Sequence, residues 1–193
     1  MGAGLSSRLP GANKLLLDWQ GKPILLHTIS NVLAAGFYEV LVVLGNDEDE
    51  FKAALQGFGN DIKIITNSDY KKGLTSSIQQ GVDAADDQTH GFIICLGDMV
   101  GIKGLDYVKL AEYHLLNTHE DELITLPKVG DKTGNPVIFS QSFRSRIMHH
   151  DDPEGCKLIV KTARHSVQYF KSSRLQFLQD IDTWDDYHRI SER

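Results

Sequence analysis

Short apolar runs alternate with helical segments over the first two thirds of the chain, and this alternation constrains the fold more than any other feature. Near-continuous apolar runs occur at residues 39–45, 62–66 and 91–98. Runs of this length, apolar on both faces, are typical of strands buried in a parallel sheet. The segments with apolar residues at helical spacing are 24–36, 47–58, 74–85 and 105–118. The alternation predicts an α/β fold with right-handed crossovers.

The strands predicted further along the chain are shorter and lie closer together. They cover 123–127, 136–139 and 167–170, and a helix is predicted at 140–148. A break at 130–134 separates the first two of these strands. Strands joined by a short connection pair antiparallel. We therefore expect a small antiparallel addition at one end of a mostly parallel sheet.

Length and composition indicate a single globular domain over residues 1–193. The formal net charge is −6, which argues against a binder of duplex nucleic acid. Cys95 and Cys156 provide no disulfide framework, and Cys95 is expected to be a buried core thiol. The sequence shows no secretory leader and no apolar run of bilayer length. We therefore expect a cytoplasmic protein with no nucleic-acid or membrane partner.

The stretch at 1–14 combines small, hydroxyl and basic residues. It contains Gly2, Ala3, Gly4, Ser6, Ser7, Arg8, Gly11 and Lys14. Small residues let backbone amides approach a ligand closely, and an Arg and a Lys beside such a turn suit a polyphosphate. The alternative is an ordinary N-terminal segment that happens to contain glycines.

Acidic residues follow two predicted elements. Asp98 closes the third apolar run, at the sheet edge where open α/β folds bind ligands, and it could coordinate a hard cation or simply cap a turn. Asp180 and Asp182 project from one face if their segment is extended. Thr183 is predicted to cap a helix that begins near Trp184. The histidines and acids at 149–152 are expected to form a solvated loop rather than a metal site.

Two further segments have the residue types of ligand sites. The helix predicted after Gly73 has hydroxyls in its first turn, including Ser77, which suits a polar ligand or plain capping. The sequence Gly134-Asn135-Pro136 is typical of a turn that leads into a strand.

These segments occur in the order found in the MobA/MocA-like nucleotidyltransferases, which the chain resembles over residues 2–190. The first stretch resembles the signature L-A-A-G-x-S-x-R-x-G-x-x-K, and Gly97-Asp98 resembles G-D-x-P with Val100 in place of Pro. The other matches are 73–81 with G-L-S-S-S-L-x-x-G, 134–139 with G-H-P-V-x-F, 152–157 with G-D-x-G-A-R and 180–187 with D-I-D-T-P-E-D-Y. Asn135, Lys157 and Trp184 replace His, Arg and Pro of the family pattern.

The resemblance implies a three-layer Rossmann-like fold of the GT-A type and assigns a role to each motif. Arg8, Lys14 and Asp98 would be catalytic, and Asp98 and Asp182 would hold Mg²⁺, with Asp180 as the second choice. The nucleotide would contact Ala3, Gly4, Ser6, Ser7, Arg8, Lys14, Gly73 and Ser77, with 67–70 lining the approach. The acceptor would contact Gly134, Asn135, Pro136 and Lys157.

The activity implied is Mg²⁺-dependent transfer of NMP from an NTP, with CTP favoured, to a phosphate-bearing acceptor of the molybdopterin type. A molybdoenzyme or its chaperone would then be a partner. Three alternatives stay open: a sugar-phosphate or alcohol-phosphate nucleotidyltransferase of the same fold, a glycosyltransferase, and a nucleotide- or cofactor-binding protein without turnover.

One element of the family pattern precedes the first stretch. In the family a buried apolar strand leads into that loop, and here Met1 stands where the strand would end. Either the strand is missing or the protein starts upstream. If the strand is absent, we expect a poorly formed loop and weak nucleotide binding.

Overall fold

The computed structural model describes residues 1–2, 13–116 and 122–191. The strands are β1 (Asp18–Trp19), β2 (Lys22–Pro23), β3 (Leu41–Leu44), β4 (Lys63–Thr66), β5 (Gly91–Ile94), β6 (Ile124–Val129), β7 (Lys132–Thr133), β8 (Val137–Ser140) and β9 (Val167–Lys171). The helices are α1 (Ile24–Leu33), α2 (Glu48–Leu55), α3 (Leu74–Asp83), α4 (Gly104–Leu116), α5 (Arg144–His149), α6 (Lys157–Thr162) and α7 (Trp184–Ser191). None of the helices in these ranges is long and apolar enough to cross a membrane.

Helix α1 illustrates how the local sequence sets the bounds of an element. Pro23 is its N-cap, where the fixed φ and the missing N–H of proline are well tolerated. Ile24, Leu25 and Ile29 recur at helical spacing and are buried. The chain then turns at Gly36, whose φ of +71° favours glycine.

The strands form a mixed arrangement. Strands β3 and β4 pair in parallel, with Val42 opposite Ile64. Strand β6 pairs antiparallel with β7 and β8 and parallel with β9, and β5 pairs antiparallel with β8. The predicted α/β class is confirmed. The described sheet is mixed rather than mostly parallel, because antiparallel pairs join β8 to both β5 and β6.

Met1 and Gly2 join the two parts of this arrangement. The Gly2 N–H donates to the Val43 carbonyl at 2.8 Å, and Gly2 forms a parallel bridge with Leu44. On the other side, the Gly97 N–H donates to the Met1 carbonyl at 3.1 Å. Beside this two-residue link, a cavity of about 720 Å³ separates β3 from β5.

Among the described residues, three groups of buried side chains form the core. The first packs α3 and α5 against β5, β6 and β8, through residues such as Ile78 and Phe139. The second joins α1, α2 and β3 around Leu44 and Phe51. The third, around Tyr107, anchors α4.

Several predictions about local structure need correction. Helix α6 was not predicted, because its six residues are too few to show a period. His149 lies in α5 rather than in a loop, and both ring nitrogens of His150 are buried, so 149–152 is not simply solvated. Cys95 is only partly buried because it faces the cavity, although burial still raises the pKa of its thiol to about 11.

Candidate active site

The ammonium group of Lys14 lies at the centre of the candidate site. Its Nζ donates to Asp98 Oδ2 at 2.5 Å and to Asp182 Oδ1 at 2.9 Å. Lys14 begins a 3-10 turn, which Asn13 caps by accepting a hydrogen bond from the Leu15 N–H. The cap fixes the point at which the lysine side chain leaves the backbone. One cation is thus held between two carboxylates from distant parts of the chain.

Asp98 follows β5 and is 6% exposed. Its neighbour Gly97 donates its N–H to the Met1 carbonyl, and its own carbonyl accepts from the Thr28 hydroxyl at 2.9 Å. A Cβ at Gly97 would lie 2.8 Å from the Met1 oxygen, so only glycine fits there without a shift. Among the described residues, Asp98 Oδ1 has no hydrogen-bond partner. A cation or a hydrogen-bond donor beside this buried carboxylate oxygen would stabilise it.

Asp182 is held by the cap of helix α7. The Thr183 N–H and hydroxyl donate to Asp186 Oδ2 at 3.0 and 2.7 Å, and the Asp186 N–H donates to Thr183 Oγ1 at 3.2 Å. Reciprocal bonds of this kind satisfy the free amides of a helix N-terminus. The Asp182 N–H also donates to Asp186, at 3.3 Å. The predicted capping by Thr183 is confirmed, and it fixes the backbone of Asp182.

The charges of this cluster affect one another. Burial lowers the pKa of Lys14, but the attraction and hydrogen bonds of Asp98 and Asp182 outweigh it and raise that pKa. Burial, together with the negative charges of Asp98 and Asp182, raises the pKa of Asp180. Lys14 therefore stays charged at neutral pH, and Asp180 is the carboxylate of this group that takes up a proton more readily than usual.

The two carboxylates fit a hard divalent cation. Mg²⁺ prefers carboxylate oxygens, and here one oxygen of Asp98 and one of Asp182 converge on a single positive charge. In the part of the chain that the structure describes, no three His, Cys, Asp or Glu side chains are grouped to hold a metal ion. At phosphate sites Mg²⁺ often takes one or two carboxylates and completes its shell with substrate and water.

Gly73 and Ser77 lie at the start of α3. Gly73 has a φ of +109°, and a Cβ there would lie 2.6 Å from the Pro153 carbonyl oxygen. Ser77 is buried and accepts a hydrogen bond from Asn67 Nδ2 at 2.9 Å, while Ser76 accepts from the same amide at 3.0 Å. The serine at position 77 is therefore engaged within the protein. Asn67 orders this turn from the end of β4.

The segment 152–157 packs onto the same helix start. The Leu74 N–H donates to the Pro153 carbonyl at 3.0 Å, and the Gly155 N–H donates to Thr75 Oγ1 at 3.0 Å. The role of Thr75 in this contact was not predicted from the sequence. The sequence indicates only that Thr75 is one of the hydroxyl residues in the first helical turn. The structure therefore brings the predicted nucleotide and acceptor motifs into direct contact. Lys157 itself is exposed, with Nζ 3.0 Å from Glu154 Oε2.

Gly134, Asn135 and Pro136 lie against the 3-10 segment Leu175–Leu178. A Cβ at Gly134 would lie 1.9 Å from the Phe177 carbonyl oxygen, and the Asn135 N–H donates to that oxygen at 2.9 Å. The Asn135-Pro136 peptide bond is cis and Pro136 is buried. These packing contacts alone account for the glycine and for part of the turn.

The remaining predicted site residues lie outside the part of the chain that the structure describes. Ala3, Gly4, Ser6, Ser7 and Arg8 fall in 3–12, which the structure does not describe, and their roles stay predictions.

The described residues form an α/β fold in which one lysine and two carboxylates meet beyond the end of β5. The model of the MobA-like NTP transferase domain matches residues 1–169, and the chain belongs to this family. The family resemblance and the class of nucleotidyltransferase are confirmed.

Individual relatives are more distant. The molybdenum cofactor cytidylyltransferase of Escherichia coli (strain K12) is 27% identical over 191 residues, which cover 99% of this chain and 93% of the relative. The nicotine blue oxidoreductase of Paenarthrobacter nicotinovorans is 22% identical over 196 residues, with coverages of 98% and 93%.

Solved structures share the fold over the whole chain. The structure of Rv0371c from Mycobacterium tuberculosis H37Rv has a TM-score of 0.84 at 24% identity, covering 100% of this chain and 94% of that one. Its complex with manganese has a TM-score of 0.76 at 21% identity, with both coverages at 95%.

Proposed function

We propose that this chain transfers a nucleoside monophosphate from an NTP, with CTP favoured, to a phosphate-bearing acceptor of the molybdopterin type and releases pyrophosphate. The observation that carries the proposal is the ion cluster in which Lys14 bridges Asp98 and Asp182. The choice of CTP and of a molybdopterin acceptor draws on the name of the Escherichia coli relative.

The triphosphate is proposed to lie along residues 3–14. Ala3 and Gly4 would offer backbone amides, Ser6 and Ser7 would offer hydroxyls, and Arg8 and Lys14 would offer positive charge. An oxygen of the acceptor phosphate forms a bond to the α-phosphorus, while the bond from that phosphorus to the pyrophosphate oxygen breaks. An acceptor phosphate is already ionised at neutral pH, so positioning and charge neutralisation provide the catalysis and no strong base is needed.

Asp98 and Asp182 are the residues that would hold Mg²⁺. When bound, this ion would polarise the α-phosphate and offset its developing charge. The residues fit because Asp98 Oδ1 is buried without a partner among the described residues, and because the two carboxylates already share one cation. The manganese complex of the mycobacterial structure is consistent with divalent metal use.

We assign the nucleoside to the start of α3, at Gly73 and Ser77, and the acceptor to Gly134, Asn135, Pro136 and Lys157, in a three-layer arrangement of the GT-A type. The contact between Leu74 and Pro153 supports the assignment, because it joins the nucleotide motif to the segment that contains Lys157. We further propose that the reaction takes place in the cytoplasm and delivers its product to a molybdoenzyme or its chaperone.

Pyrophosphate release tests the activity. The protein is incubated with each of the four NTPs and with molybdopterin, a sugar phosphate or an alcohol phosphate, in Mg²⁺ and in chelator. We expect release with CTP and molybdopterin in Mg²⁺ only. Nucleotide binding in titration calorimetry, with no release for any acceptor, would instead establish a binding protein without turnover.

The variant Asp98→Asn tests the site. Removing one of two carboxylates that hold the metal should lower the rate of release about 100-fold or more. Asp131→Asn, in the exposed turn between β6 and β7, is the matched control and should leave the rate unchanged. Equal rates in both variants would remove Asp98 from the mechanism.

A further inference from the structure

The acceptor turn, Gly134-Asn135-Pro136, rests on the backbone of the 3-10 segment Leu175–Leu178. The Phe177 carbonyl of that segment accepts the Asn135 N–H at 2.9 Å. The same oxygen would lie 1.9 Å from a Cβ at Gly134. The two backbones are therefore in direct contact, with no side chain between them to absorb a displacement. A shift of the segment would move the acceptor turn with it.

Apolar packing attaches this segment to the chain between β5 and α4. Phe177 is 1% exposed and belongs to the buried group of Met99, Ile102 and Tyr107. Its ring lies edge-on to that of Phe170 in β9, with the ring centroids 6.1 Å apart. The hydrophobic effect is not directional, so this packing holds the Phe177 ring without fixing how the backbone is turned about it. The orientation of the Phe177 carbonyl needs a directional bond as well.

Arg174, which immediately precedes the segment, provides such a bond. Its Nε lies 2.9 Å from Asp106 Oδ1. Asp106 lies in the first turn of α4, is 5% exposed, and accepts the Lys103 N–H through Oδ2 at 3.0 Å. Arg174 is also the N-cap residue of the segment, and its carbonyl accepts the Phe177 N–H at 3.3 Å. Arg174 thus connects a buried carboxylate of α4 to the turn that presents the Phe177 carbonyl.

We propose that Arg174 is a positioning residue for the acceptor: its ion pair with Asp106 orients the segment, and the Phe177 carbonyl passes that orientation to the acceptor turn. The inference rests on the proposed function, because it requires the acceptor turn to contact the acceptor. Arg174 acts here through backbone contacts and not by touching the ligand.

The burial of Asp106 gives this ion pair its influence. Without the guanidinium group, the described contacts leave the carboxylate only the Lys103 N–H as a donor. A buried carboxylate that has lost a charged partner is costly, so the surrounding chain would rearrange to admit water or another donor. The side chain of Arg174 is itself 49% exposed, so replacing it removes the charge without emptying the core.

The nucleotide and metal side of the site has supports of its own. The Asp182 N–H donates to Asp186 in the cap of α7. Asn13 caps the turn that begins at Lys14. Loss of the Arg174 charge should therefore disturb the acceptor turn and leave the carboxylate cluster in place. This asymmetry distinguishes a positioning role from a general loss of stability.

The experiment uses three variants of the complete chain. Arg174→Gln removes the charge, and Arg174→Lys keeps it. Arg164→Gln, at an exposed position in the 3-10 turn Arg164–Ser166, is the matched control. Pyrophosphate release from CTP and molybdopterin gives the KM of each substrate and the dependence of the rate on Mg²⁺. Hydrogen exchange of the Asn135 amide reports on the acceptor turn with no ligand present.

Arg174→Gln should raise the KM for molybdopterin about tenfold, the cost of one hydrogen bond to a charged group. The KM for CTP and the Mg²⁺ dependence should not change. Exchange of the Asn135 amide should become about tenfold faster, because its acceptor on Phe177 is held less firmly. Arg174→Lys should recover part of both losses, and Arg164→Gln should behave as the native chain does.

An equal rise in the KM values for CTP and molybdopterin would overturn the proposal, because it would make Arg174 a residue of general stability. Unchanged exchange of the Asn135 amide in Arg174→Gln would overturn it as well. If the native chain releases no pyrophosphate with any NTP and acceptor, the proposed function fails, and the acceptor role of Arg174 fails with it. The exchange rate of Asn135 would still show whether Arg174 holds the turn, so the two failures are distinguishable.

Discussion

The carboxylate cluster and the cavity between β3 and β5 both adjoin Met1, and they are built in opposite ways. In the cluster, one lysine joins carboxylates that are 84 and 168 residues away from it in the chain. The cavity between β3 and β5 is instead lined mostly by apolar side chains, which come from α1, β3, α3 and β5.

The difference shows which interactions each region depends on. The cluster depends on the balance of a few charges, so removing one of them should have a large effect. The wall of the cavity between β3 and β5 depends on many weak apolar contacts, so single side chains there should matter mainly through their burial. The two regions are linked because the Met1 carbonyl holds Gly97, the residue before Asp98.

The largest effect is expected for Lys14→Met, which removes the only cation that Asp98 and Asp182 are described as sharing. Loss of one partner leaves a buried charge uncompensated, and the free energy of unfolding should fall by about 3 kcal/mol in chelator at pH 7. The deficit should shrink as the pH is lowered towards 4, because the raised pKa of Asp180 lets that carboxyl lose its charge early.

Urea unfolding at several pH values measures this, with Lys109→Met on the exposed face of α4 as the control. If both variants are equally stable at pH 7, the cluster does not depend on the balance of charge, and the contrast with the cavity between β3 and β5 is lost.

An intermediate effect is expected at the cavity between β3 and β5. His114 is buried at its wall, with Nδ1 2.7 Å from Thr125 Oγ1, and burial lowers the pKa of His114 to about 4. In an unfolded chain the value is about 6.5. Between these two values the unfolded state binds a proton that the native state does not, so the free energy of unfolding falls as pH decreases from 6.5 to 4. The loss should be about 2 kcal/mol.

The test measures the free energy of unfolding of the native chain and of His114→Gln at pH 7 and at pH 4.5. The decrease between the two pH values should be smaller in the variant, because the variant lacks the titrating imidazole. His165→Gln, at an exposed position, should retain the full decrease. Parallel pH curves for the native chain and His114→Gln would show that the cavity wall does not hold a neutral histidine.

The smallest effect is expected for Thr183→Ala in the cap of α7. Loss of the reciprocal bonds to Asp186 should cost about 1 kcal/mol, or roughly 2–4 °C in Tm. Thermal unfolding measures the Tm of Thr183→Ala, and Ser173→Ala, at an exposed position, is the control. A Tm equal to that of the control would mean that the cap does not hold Asp182 in place.

Much of the fold could be predicted because its signals are local. The apolar runs at 39–45, 62–66 and 91–98 correspond to β3, β4 and β5, and the helical spacing at 74–85 corresponds to α3. The pairing of β5 with β8 could not be deduced, since it depends on packing between segments far apart in the chain.

The site divides in the same way. Asp98 stood out because it closes a predicted strand, and Asp182 was assigned its role through the family resemblance. Nothing local indicates that Lys14 contacts both. The close approach of Gly134 to the Phe177 carbonyl is also a tertiary fact, and it gives that glycine a packing role that a motif cannot reveal.

The bond between Lys14 and Asp182 has a consequence for synthesis. At about 5–20 residues per second, the ribosome reaches Asp182 roughly 10–30 s after it has added Lys14. Asp98, the earlier of the two acids, has already been added by then. The cluster is therefore completed among the last steps of translation, when nearly all of the domain already exists.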